Sequence, residues 1–157
     1  AESEAFADPE AVAVASSERE SVVEEPEDKR RSATVMIVES NKELQLAFYK
    51  AFKEVVKLVV IAPTTSLALE HLRKGVASAV VLNAQYIGEE AVRCFNALLD
   101  DESTRSLPGM LILGENQVKW AAAVKERSPK RRVVGLPVAM KNIVSAVEKL
   151  LDEPRAS

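Results

Sequence analysis

Along the chain, short continuous apolar runs alternate with segments whose apolar residues recur at three- and four-residue steps. Thr34, Val35, Met36, Ile37 and Val38 make a β-rich run that ends in polar Glu39, Ser40 and Asn41, where a helix can be capped. Leu44, Ala47, Phe48, Ala51, Phe52 and Val55 then follow a helical period. Residues 58–61 form a second strand, and Thr64 or Thr65 opens a helix that turns Leu69 and Leu72 inward and stops at Gly75. Residues 79–82 predict a third strand, followed by a helix carrying Ala91, Val92, Phe95 and Leu98. Residues 110–113 predict a fourth strand, and Val118, Ala121, Ala122 and Val124 a fourth helix. Val133 and Val134 mark a fifth strand, and Ile143, Val144, Val147, Leu150 and Leu151 a last helix. Strands that are apolar throughout, not alternating, belong in a parallel sheet covered on both faces. The expected fold is therefore α/β: a three-layer, doubly wound, five-stranded parallel sheet spanning residues 33–152.

The first 32 residues are different. They are rich in Glu, Ala, Ser, Val and Pro and carry no sustained period, so they read as a disordered acidic linker unable to offset its ordering entropy by burial. With 10 acidic and 4 basic residues this segment has a net charge of −6, whereas the remaining chain is +3. The opposite signs permit the segment to lie against the domain, although physiological salt screens such attraction. Ser16, Ser17, Ser21 and Ser32 are candidate phosphorylation sites, as serines in linkers commonly are. Residues 153–157 read as a C-terminal tail or the start of another linker, as expected of a piece of a longer protein. With 47% hydrophobic and 29% charged residues the composition is that of a soluble globular protein. No apolar run approaches the roughly 18–20 residues that span a bilayer, and no signal peptide opens the chain, so a cytoplasmic protein without a membrane partner is expected.

Chemistry in a doubly wound sheet sits beyond the carboxyl ends of the strands. The five glycines show neither dinucleotide-binding nor P-loop spacing, and one cysteine and one histidine cannot build a zinc cluster within one copy. The residues that follow the strands are Glu39 and Ser40, Pro63 and Thr64, Asn83 and Ala84, Gly114 and Glu115, and Leu136 and Pro137.

In element order and in four of these five positions, residues 34–152, about three-quarters of the chain, resemble the CheY-like receiver domain of bacterial response regulators of two-component signalling. The resemblance implies that Glu39 and Ser40 stand where receivers place an acidic pair for Mg²⁺, leaving one acid of two. Asn83 stands where receivers carry the phosphoryl-accepting Asp, and an amide is neither a nucleophilic carboxylate nor an anionic metal ligand. Gly114 replaces the hydroxyl residue that follows the phosphoryl group on activation. Leu136 replaces the Lys of the Lys-Pro pair, while Pro137 remains, which implies a cis Leu136–Pro137 bond. The loop after Asn83 is about three residues shorter than is usual in the family, and lacks its proline. Nucleophile, metal site, hydroxyl and counter-charge fail together. The expectation is a degenerate pseudo-receiver, without catalytic residues, metal or cofactor, acting as a protein-interaction module in a larger regulatory protein.

Lys125, Arg127, Lys130, Arg131 and Arg132 form the densest basic cluster, fit for an acidic protein partner or for helix-end compensation and solubility. Nucleic acid is disfavoured because no aromatic residues interleave to stack bases. In receivers the face made by the fourth helix, fifth strand and fifth helix commonly binds a partner or a second copy. Trp120 on that fourth helix is then an interface anchor if it points outward and core if it points inward. The alternatives kept open are a homodimerisation module using that face, and a small-molecule or nucleotide sensor using the strand-end cleft around Glu39, Asn83, Gly114 and Leu136. A hydrolase triad of Ser40, His71 and an acid is disfavoured because His71 falls inside a helix, away from the strand ends. Glu39 reads as a leftover polar group and not an acid–base catalyst, and Cys94 as a small buried hydrophobe.

Overall fold

The computed structural model describes residues 32–152. The acidic segment with Ser16, Ser17 and Ser21, and the C-terminal tail 153–157, lie outside the described residues. Five parallel strands, β1 (Thr34–Val38), β2 (Leu58–Ala62), β3 (Ala79–Asn83), β4 (Gly109–Leu113) and β5 (Arg131–Gly135), form one sheet in the order β2-β1-β3-β4-β5. This is the expected three-layer, doubly wound α/β fold.

The inner strands are apolar along nearly their whole length because successive side chains enter two separate cores. Val35 and Ile37 join Phe48, Phe52, Met110, Ile112 and Val147 on one face. Met36 and Val38 join Leu72, Leu82, Phe95, Leu98 and Leu111 on the other. Helices α1 (Lys42–Phe52) and α5 (Met140–Asp152) cover the first face, and α2 (Thr65–Leu72) and α4 (Glu89–Ala97) cover the second. The helix starts are set locally. Asn41 Oδ1 accepts from the Leu44 N–H at 3.0 Å and Thr64 Oγ1 from the Leu67 N–H at 3.2 Å.

Three elements differ from the sequence expectation. The loop after β3 contains one turn of helix, α3 (Ala84–Ile87), which Asn83 caps through an Oδ1 contact of 3.2 Å to the Gln85 N–H. Gly88 at φ 90° then lets the chain reverse directly into α4. The fourth helix is a 3₁₀ segment, Glu115–Ala123, with no fully buried residue. Its first and last turns close by i to i+3 bonds, from the Gln117 N–H to Gly114 O and from the Val124 N–H to Ala121 O. The run 118–124 has too little apolar surface on any one face to hold an α-helical period against the sheet. The fifth strand begins earlier than the apolar pair Val133 and Val134, at Arg131.

At Gly109, where β4 begins, an added Cβ would lie 3.1 Å from Phe95 Cε1 and 3.3 Å from Val80 Cγ1. Both neighbours are fully buried, so neither has room to retreat. Gly109→Ala is expected to lower unfolding free energy by about 1–3 kcal/mol, measured as a shift in the urea midpoint. An unchanged midpoint would show that the packing there is looser than described.

Candidate functional site at the strand ends

Register brings two polar residues together where the order of connection reverses. Val38 pairs with Leu82 across β1 and β3, so Glu39 and Asn83 emerge side by side at the carboxyl edge. Both are buried, at 0% and 3% exposure. Asn83 Nδ2 donates to Glu39 Oε1 at 2.6 Å, and the Asn41 N–H donates to Glu39 Oε2 at 3.0 Å. Gln45 Nε2 donates to the Glu39 carbonyl oxygen at 2.6 Å, while Gln45 Oε1 has no hydrogen-bond partner among the described residues. Asn83 is oriented by its other atom, since Oδ1 accepts from the Gln85 N–H. Its amide N–H therefore stands directly against the carboxylate.

Burial raises the Glu39 carboxyl above its ordinary range, opposed by the Asn41 N–H, the Asn83 amide and the Ser40 backbone, and the net direction is upward. Ser40, the next residue, is exposed and offers only a hydroxyl, so the carboxyl has no acidic neighbour in sequence with which to share a cation. Among the described residues no group of three or more His, Cys, Asp or Glu is placed to hold a metal ion.

A second bridge, invisible in the sequence reading, ties the next two strand ends together. Gln117 Oε1 accepts from the Gly114 N–H at 2.7 Å, and Gln117 Nε2 donates to Ala84 O at 2.9 Å. One side chain thus spans the loops after β3 and β4. A Cβ at Gly114 would meet Gln117 Oε1 at 3.1 Å, so the glutamine fills the space into which a side chain at 114 would project. Leu136 extends the β4–β5 ladder, donating its N–H to Leu113 O at 2.8 Å, and packs against the first core cluster. The Leu136–Pro137 bond is cis. Beside this edge lies an open cleft of about 510 Å³ lined by Gln85, Gly114, Asn116, Gln117, Leu136 and Pro137, among others. Neither Glu39 nor Asn83 lines it, so a ligand seated there would not meet the buried pair.

The remaining candidates separate. Trp120 is half-buried and packs against the second core cluster, over a small groove it shares with Val92, Arg93 and Asn96 of α4. Lys125, Arg127 and Arg132 are exposed and Lys130 is half-buried. Arg131 departs from the cluster: it is 3% exposed, with its guanidinium 3.9 Å from the Phe95 ring centroid. Alternation along edge strand β5 sends Arg131 inward and Arg132 outward. His71 lies inside α2, remote from the strand ends. Cys94 is buried, and desolvation pushes its thiol up to about 12, which disfavours the nucleophilic thiolate.

The chain has the fold of a CheY-like response-regulator receiver domain. No family model and no curated protein matches the sequence. Among solved structures, a response regulator receiver protein from Sinorhizobium medicae is 21% identical with a TM-score of 0.60, covering 77% of this chain and 95% of its own. The receiver domain of a signal transduction histidine kinase from Syntrophus aciditrophicus is 13% identical with a TM-score of 0.66, covering 76% and 90%. The receiver domain of a Pseudomonas aeruginosa sensor histidine kinase, which holds a magnesium ion coordinated in its active-site cleft, is 11% identical with a TM-score of 0.63, covering 78% and 99%.

Asn83→Asp would set a second buried carboxyl 2.6 Å from Glu39 Oε1, in place of a donor. Two such groups cannot both ionise cheaply, so the folded-state pKa values rise. A raised carboxyl pKa leaves stability intact below the unfolded value and removes it as pH rises through the folded one. The variant is therefore expected to lose at least about 2 kcal/mol relative to the parent at pH 8, and much less at pH 4.5, in paired urea titrations. Equal losses at both pH values would exclude carboxylate repulsion.

Proposed function

We propose that this chain is a phosphorylation-independent receiver-like signalling module that holds one conformation and binds a protein partner within a larger regulatory protein. The reading rests above all on Glu39, both of whose carboxylate oxygens are occupied by internal donors, one of them the amide of Asn83. A receiver that accepts phosphate needs at that edge a nucleophilic carboxylate, an acidic metal site, a hydroxyl and a cation. Here the corresponding positions are Asn83, a lone buried Glu39, Gly114 and Leu136. Gln117 already makes, in neutral hydrogen bonds, a link between the β3 and β4 ends, and the open cleft beside it is lined by no cation that could hold a phosphoryl group.

With the site closed, the scaffold acts through its surfaces. The face built by the segment Glu115–Ala123, β5 and α5 presents Val118 at 54% exposure near Gly135, half-buried Trp120 lies on the same segment but toward α4, and Lys125, Arg127 and Arg132 are exposed. Aromatic, aliphatic and cationic side chains together are suited to an acidic protein surface.

Incubation with acetyl phosphate and Mg²⁺ is expected to leave the intact mass unchanged, and a partner retained by the immobilised chain is expected to bind equally before and after that treatment. Trp120→Ala together with Val118→Ser is expected to weaken that retention at least about tenfold, the loss of one hot spot. A phosphoryl adduct, or binding that changes with the phosphodonor, would refute the reading.

A further inference from the structure

At the amino edge of the sheet, opposite the strand-end site, Arg131 is almost fully buried yet forms no ion pair with a carboxylate among the described residues, with Glu126 acting on it only through space. Its Nε donates to Glu126 O at 3.1 Å and Nη2 to Phe95 O at 2.9 Å, while buried Nη1 has no hydrogen-bond partner among the described residues. A guanidinium stays charged in proteins, and a buried donor left unmade costs free energy comparable to a lost hydrogen bond. Arg131 lines a cavity of about 550 Å³ together with Arg105, Lys130 and Ser128, and with the exposed residues Glu102 and Glu126. Exposed Arg127 and Arg132 stand next to this lining in sequence. The basic residues outnumber the two acids, and the one charge withdrawn from water is positive.

We propose that this cavity is a carboxylate-binding site whose occupant is the chain's own acidic run, Glu24, Glu25, Glu27 and Asp28, with Arg131 as the buried donor. That run lies outside the described residues, but the point at which it joins the domain is fixed. It enters at β1, whose first residue Thr34 lies at the same amino edge as Gly109 and Arg131. From β1 to β5 is three strand spacings, about 14 Å. Glu27 is seven residues before Thr34, a tether of about 23 Å when extended. The reach suffices, and tethering gives the acidic run an effective concentration in the millimolar range. Lys29, Arg30 and Arg31 separate the acids from the strand, so it is the acidic run, not the residues beside β1, that has the charge to enter. The contact would cover the amino edge and leave the carboxyl edge untouched.

Amide and arginine side-chain NMR spectra of the full chain and of a Glu24→Gln, Glu25→Gln, Glu27→Gln, Asp28→Asn variant test this, because the substitutions remove the acidic charge and keep side-chain size. The two spectra are expected to differ at Ser106, Ser128, Lys130 and the Arg131 Nε–H, with the difference shrinking at 0.5 M salt. Arg105→Ala in the full chain should diminish the same differences without altering strand-end amides. Coincident spectra at the cavity would overturn the proposal. It would equally be overturned if inorganic phosphate moved these signals in the neutralised variant while neutralisation itself had not, since the site would then take a different anion.

Discussion

The pairing of β1 with β3 is the constraint on which the rest of the site depends. It sets Glu39 against Asn83 at the reversal point of the sheet, inside a shell where neither reaches water. In such a place a carboxylate must be paired, metal-bound or protonated. This chain answers with neutral donors. The Asn83 amide and the Asn41 N–H take the two oxygens, and the same Asn83 caps the helical turn that begins the next loop. One residue thus joins the electrostatics of the site to the backbone path after β3.

The bridge made by Gln117 extends that solution to β4. An open glycine at 114, a glutamine three residues on, and a short 3₁₀ segment form one unit, since the tight first turn returns the glutamine to the Gly114 N–H. Leu136 continues the replacement of charge by packing. The two edges of the sheet consequently have opposite character. The carboxyl edge, where receivers concentrate charge, is largely neutral and internally satisfied. The amino edge holds a buried arginine stacked on Phe95 with a donor to spare.

Much of the fold was legible because strands buried on both faces must be apolar at every position, and the runs ending at Val38, Ile61, Leu82 and Leu113 are. The capping residue Asn41 was equally plain, as was the absence of an acid near residue 83. Other features depend on distances that sequence does not carry. Gln117 reads like any solvated polar residue until Gly114 and Ala84 are brought within 3 Å of it. Arg131 sits in a run of basic residues that reads as a solvated surface, and only its inward phase on edge strand β5 buries it. The α-helical period assigned on Val118, Ala121, Ala122 and Val124 failed because two valines and two alanines give too little one-sided apolar area. The segment after Asn83 was recognised as a short loop, but its helical form follows from the cap that Asn83 itself provides.

The central claim is that the strand-end site is closed by its own hydrogen bonds, and Mg²⁺ with beryllofluoride, a non-covalent mimic of the phosphoryl group, tests it most directly. Followed by amide NMR, the account predicts no saturable shift at Glu39, Asn83, Gly114 or Leu136 at millimolar concentrations. Saturable shifts running from Asn83 through Gly114 into β5 would contradict it, because they would mean that the site still takes a metal and a phosphoryl group and still moves in response.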